Sequence, residues 1–135
     1  MGRTIEIPKQ QWHVYLDNLN KRALGQPIRV EVENREIGDQ VMTRQLPLVG
    51  IDLDMKGSEA GSIEVTVGDE RQELSHVIED PMRVYLKVND DGNIDCMEIE
   101  DEDNGKTLIF FEGSGVPVQF QPDTLGAAVE PAPGP

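Results

Sequence analysis

The sequence predicts an α+β domain that is mostly β: an N-terminal helix followed by a bent antiparallel sheet or small partly closed barrel. Apolar residues recur at helical spacing only near the N-terminus, and from Pro27 onward they alternate with polar ones. Turn signals such as Asp91-Gly92 and Asn104-Gly105 interrupt that alternation at short intervals. No second helical pattern separates the strands, so neighbours in sequence are expected to pair antiparallel. A flat sheet with one small helix would leave much apolar surface in water. Curling the sheet and covering one opening with the helix buries that surface and hides the edges.

The helix is expected over residues 8–24. Pro8 suits a first helical position, where its missing N–H would have no intrahelical partner. Trp12, Leu16, Leu19 and Ala23 then form one apolar face with Tyr15 beside them, and Gln10, Gln11, Asp17, Asn18 and Lys21 fill the other side. Lys21 and Arg22 complement the dipole at the C-terminal end, and Gly25 and Pro27 stop the helix.

The first strand follows at once, with Ile28, Val30 and Val32 alternating against Arg29, Glu31 and Glu33. Asp39 to Gln45 is a weaker strand candidate. Leu48 to Met55 is a stronger one, with Val49, Ile51, Leu53 and Met55 expected on the buried face. Ser62–Val67 and Leu74–Glu79 come next, joined by a Gly68-Asp69-Glu70 turn. Met82, Val84, Leu86 and Val88 alternate inward in the following strand. In Ile94 to Glu100 the apolar spacing through Cys96, Met97 and Ile99 slips phase and predicts a bulge. Thr107–Glu112 is the last strand. Residues 1–112 are thus expected to form one domain. Residues 113–135, with Gly113-Ser114-Gly115 and five prolines, are expected as a flexible tail. Within it, Val116-Pro-Val-Gln-Phe120 has the pattern of a segment able to join a sheet edge.

The charge is divided unevenly. Residues 1–50 hold seven Lys/Arg and six Asp/Glu, whereas residues 51–135 hold five Lys/Arg and twenty Asp/Glu. A field of that sign repels nucleic-acid phosphates and anionic lipid and favours cationic partners, so neither nucleic acid nor membrane is an expected partner. The N-terminus has no apolar run of signal-peptide length and no later run approaches a membrane span, which predicts a cytoplasmic protein. One cysteine, Cys96, excludes an internal disulfide and a multi-cysteine zinc site.

Motifs with chemical meaning are few. Asp101, Asp103 and Glu112 fall at positions 1, 3 and 12 of a calcium-loop pattern, but Gly105 and Lys106 stand one place out of register and the flanks are strands. A hairpin turn with solvated carboxylates is the preferred reading. Ser75 and His76 are adjacent in a strand and so point to opposite faces, which prevents their pairing as nucleophile and base. His13 has no partner in sequence. Cys96 lies in an acidic stretch that should raise its thiol pKa, and an inert packed thiol is expected. No catalytic, cofactor-binding or metal-ligating residue and no cofactor is assigned.

The order of short motifs carries a resemblance. Ile7-Pro-x-x-x-Trp12, Pro27-Ile-Arg-Val-Glu-Val, Ile37-Gly-Asp-Gln, Leu46-Pro-Leu-Val-Gly-Ile-Asp, His76-Val-Ile-Glu-Asp-Pro and Met97-Glu-Ile-Glu-Asp together resemble the small bacterial family catalogued as domain of unknown function 5335. The likeness covers about residues 4–112; it implies a bacterial source and no activity. A helix leading into a bent antiparallel sheet is also similar in outline to Sm-like barrels, a likeness of fold that carries no function. The favoured function is a non-enzymatic interaction or regulatory module whose acidic half meets a basic protein partner. The alternatives are a ligand-binding or enzymatic pocket at the barrel mouth and a homo-oligomer formed through strand edges.

Overall fold

The computed structural model describes residues 2–34, 38–56, 61–113 and 115–119. It is a bent antiparallel sheet with one N-terminal helix, and the sheet does not close. In chain order the elements are β1 (Arg3–Ile7), a 3-10 turn (Lys9–Gln11), α1 (Trp12–Ala23), β2 (Pro27–Asn34), β3 (Gly38–Leu53), β4 (Ile63–Gly68), β5 (Glu73–Ile78), β6 (Pro81–Val88), β7 (Ile94–Asp101) and β8 (Lys106–Phe111). The strands lie in the order β1-β6-β7-β8-β2-β3-β4-β5.

That order explains the curl. β5 and β6 are joined by only Glu79 and Asp80, yet five strands lie between them in the sheet. If flat, the sheet would hold them roughly 29 Å apart at the usual strand spacing. The chain from Ile78 to Pro81 can span only about 10 Å. The sheet therefore has to roll until its β5 edge faces β6 to β8. Two contacts show that it does. The Glu102 N–H donates to the Asp80 carbonyl (3.0 Å), and His76 Nε2 lies 3.3 Å from Thr107 Oγ1 on β8.

The inner face is aliphatic. Ile28, Ile51, Ile63, Leu86, Ile94, Met97 and Ile109 are fully buried, and α1 adds Trp12, Tyr15, Leu16 and Leu19. The helix packs chiefly on β3. Asn20 fixes it there, because its Oδ1 accepts from the Ile51 N–H (2.8 Å) while its Nδ2 donates to the Ile51 carbonyl (3.1 Å). One amide thus imitates a strand at a point beyond the Pro27 end of β2.

Several expectations need correction. β1 has no counterpart in the sequence reading, since only Ile5 and Ile7 mark it; the structure pairs it with β6 from Arg3↔Val88 to Ile7↔Val84. The two strand candidates after residue 38 are one long strand, β3. Within it the register shifts between Leu48 and Gly50, so Leu48 and Ile51 both face inward while Val49 and Met55 are exposed. A second shift, between Pro81 and Arg83, turns Met82 outward and buries Pro81. The bulge expected in β7 is present and falls at Asp95, ahead of Cys96, opposite Lys87 and Val88. Gln11, expected on the wet side of the helix, is buried, because the first turn is 3-10 and rotates it toward the core.

Residues 115–119 are docked on the fold. Val116 and Val118 are buried, and Pro117 forms an isolated antiparallel bridge with Asn93.

Candidate functional site

Short turns set the acidic side chains of this chain, and one pair of turns brings them together. In the β7–β8 turn the Asp101 carboxylate accepts from the Asp103 N–H (2.8 Å) and the Gly105 N–H (2.9 Å), and the Asp101 N–H donates to the Gly105 carbonyl (3.0 Å). Gly105 allows that close approach: a Cβ would lie 2.7 Å from Asp101 Oδ2, and the carboxylate would have to shift. The Glu102 N–H then reaches across to the Asp80 carbonyl, clamping this turn against the β5–β6 turn. Glu79, Asp80, Glu102 and Asp103 are all exposed around that clamp, with Asp101 at its base. Among the described residues, none of these five carboxylates has a cation within 4 Å.

The acidic half spends its own cations elsewhere, on the outer face of the sheet. Lys87 on β6 and Lys106 on β8 both approach Glu98 on β7, at 3.6 and 3.9 Å. Glu98 is nearly buried between them, and Arg83 turns to Glu6 on β1 (3.7 Å). The Glu100 carboxyl, one step along the same face, hydrogen-bonds to Glu98 and is thereby held above the usual carboxylate range. At the far end of β8, Arg29 stacks over Phe110 (4.1 Å from the ring centre) and pairs with Glu31 and Glu112. A hydrogen bond from Gln45, with the Arg29 guanidinium beside it, holds the Glu112 carboxyl below its ordinary value.

These positions decide the sequence candidates. Asp101 ends β7 and Asp103 lies in the turn before β8, whereas Glu112 stands beyond the far end of β8, roughly 20 Å away at strand rise, so the calcium-loop trio is not brought together. Among the described residues no three His, Cys, Asp or Glu side chains converge as a metal ion would require. Ser75 bonds Thr66 on the outer face (3.2 Å) while His76 turns inward to Thr107. His13 is exposed on the helix.

Cys96 is buried, and burial pushes its thiol up to about 11, with Glu98 adding to the shift and Lys87 opposing it. The nearby acids in the sequence point the same way, but desolvation is the larger cause. With its thiolate fraction cut about 100-fold at pH 8, Cys96 should be alkylated by iodoacetamide at least that much more slowly in the native protein than in urea. Comparable rates would show that the outer face opens.

Burial lowers the His76 pKa and Asp101 partly offsets it. As pH falls through 6.5 the unfolded histidine takes up a proton that the folded one refuses, so this contribution to stability declines below 6.5. Glu100, with its raised pKa, works the opposite way at lower pH, gaining a proton in the folded state first. Urea midpoints at pH 7.5 and 5.5 should fall less for His76→Gln than for the natural chain; equal falls would refute the assignment.

The sequence pattern did not reveal Asn20, the Glu98–Glu100 pair or the contacts of Tyr15. One signal was present: Cys96 to Ile99 breaks alternation because both faces of β7 are covered.

No helix among the described residues is long and apolar enough to cross a membrane. No solved structure matches the chain. An "Uncharacterized protein" of the bacterium Aquifex aeolicus (strain VF5) is 33% identical over 106 residues, covering 78% of this chain and 89% of the relative. The model of a family of unknown function, DUF5335, matches residues 3–116, a span that takes in the helix, all eight strands and the clamped acidic turns, and the chain belongs to that family.

Proposed function

We infer that the protein is a non-enzymatic cytoplasmic interaction module whose acidic rim receives a basic segment of a protein partner. The observation that carries this reading is the Asp80–Glu102 backbone clamp, which gathers five carboxylates that have no cation within 4 Å among the described residues, without using their oxygens for the clamp itself. Such a surface attracts Lys- or Arg-rich segments over about a Debye length and gives them charge-assisted hydrogen bonds on arrival. It repels phosphate, which sets nucleic acid aside as a partner. The buried, unreactive thiol suits a reducing compartment.

Affinity capture from a native lysate tests the proposal, using the full chain at 50 and 500 mM salt and a charge-neutralised variant, Asp80→Asn with Glu102→Gln and Asp103→Asn. The captured basic protein should be lost at high salt and with the variant at low salt. Capture that ignores both changes contradicts the proposal.

A further inference from the structure

The segment that follows β8 shows what a second surface of the fold accepts. Val116 and Val118 sit in a groove between α1 and the β6–β7 turn and are 1% and 9% exposed. The hydrogen bonds that hold them among the described residues run to main-chain atoms. The Ile94 N–H donates to the Val116 carbonyl (2.8 Å), and the Val118 N–H donates to the Gly92 carbonyl (2.9 Å). The Tyr15 hydroxyl donates to the Val118 carbonyl (2.8 Å), and the Arg22 guanidinium reaches the carbonyls of Pro117 and Val118. Pro117 fits because its bridge with Asn93 is a non-hydrogen-bonded pair, where a missing N–H costs nothing. This is strand-addition chemistry: backbone bonds supply the affinity, and two pockets for alternate side chains supply the preference.

We propose that this groove is an acceptor site for an extended Val-x-Val segment, and that it takes that segment from a second copy of the chain as well as from its own. The occupant's chemistry is displayed by the segment already seated there. The connection back to β8 runs through Gly113 and Gly115, so the same contacts form whichever copy provides the strand. An empty groove would leave the Ile94 N–H without its acceptor and expose apolar surface, so exchange between copies is favoured over simple release. The cis form prevails in dilute solution and the exchanged form gains with concentration. This inference does not rest on the acidic rim.

Paired cysteines provide the test in the full-length chain. A non-hydrogen-bonded pair has Cα atoms about 4.5 Å apart, within disulfide range. Asn93→Cys and Pro117→Cys are placed in separate copies of distinguishable size, mixed in urea, refolded at rising concentration and oxidised. A disulfide-linked Asn93→Cys/Pro117→Cys heterodimer that increases with concentration is the expected result, together with a dimer of the unmodified protein in gel filtration at high concentration only. The double variant within one chain should cross-link internally, and failure to do so overturns the docking itself. A monomer at every concentration, with no heterodimer above the self-paired background, overturns the exchange. Cross-linking of Asn93→Cys only by a short Val-Cys-Val peptide, never by another copy, would assign the groove to a foreign segment instead.

Discussion

Trp12→Ala should cost about 3–5 kcal/mol, the usual loss for removing a buried tryptophan. Trp12 is 2% exposed at the junction of the 3-10 turn and α1. Its indole N–H donates to the Ile7 carbonyl (2.9 Å), and Lys9 lies over its ring (5.6 Å from the centre). One side chain therefore joins β1, the turn and the helix. Against a total stability of about 5–15 kcal/mol the loss is large enough to leave part of the population unfolded. Trp12→Phe keeps most of the buried area and removes the donor, and about 1–2 kcal/mol is expected for it. Urea unfolding followed by far-UV circular dichroism measures both. Hydrogen exchange should show the amides of Arg3–Ile7 losing protection before those of β7. A loss under 1 kcal/mol for the alanine variant would mean that β1 is held by its pairing with β6 alone.

The same corner of the molecule shows where sequence reasoning succeeds and where it stops. Trp12, Leu16, Leu19 and Ala23 announce the helix because their helical spacing holds over three successive intervals and its ends carry Pro8 and Gly25. Gly25 has φ +81°, the left-handed conformation its position after the helix requires. β1 is invisible in the sequence because two isoleucines make too short a period to distinguish from loop. The alternation of β2, β4 and β8 is legible because each buries a single face. Errors gather at bulges: one extra residue at Val49 or Met82 reverses the phase of all that follows, and no local propensity marks it.

Of the site, the excess of acid was plain and its location was not. Whether Asp80 and Glu102 lie near each other depends on the curl of the sheet, which follows from strand order, and strand order is not a local property. The fate of Lys87, Lys106 and Arg83 is equally non-local, because each finds its carboxylate on a neighbouring strand. Their pairing with Glu98 and Glu6 keeps these three cations off the rim.

Gly68→Ala should be at least as damaging as the loss of Trp12's burial, at about 3 kcal/mol or more, through backbone instead of core. Gly68 closes β4 with φ +144°, a conformation that side-chain-bearing residues rarely adopt. A Cβ there would meet the Gln72 carbonyl oxygen at 2.1 Å and Glu73 Cα at 2.6 Å, both backbone atoms that cannot swing aside. Those atoms belong to a tight turn, in which the Asp69 N–H donates to the Gln72 carbonyl (2.8 Å) and the Asp69 carboxylate accepts from the Arg71 and Gln72 N–H groups. Relief of the clash would pull β5 off register against β4. β5 carries His76 and leads directly into Glu79 and Asp80, so the acidic rim should loosen with it. Gly92→Ala separates torsion from collision: Gly92 has φ +81° but nothing within 4 Å of a Cβ, so only the left-handed penalty of about 1–2 kcal/mol applies. Urea midpoints for the two variants, with slopes unchanged, should therefore differ by more than the torsional cost alone. Equal losses would show that the β4–β5 turn yields and that β5 is not held in place from this end.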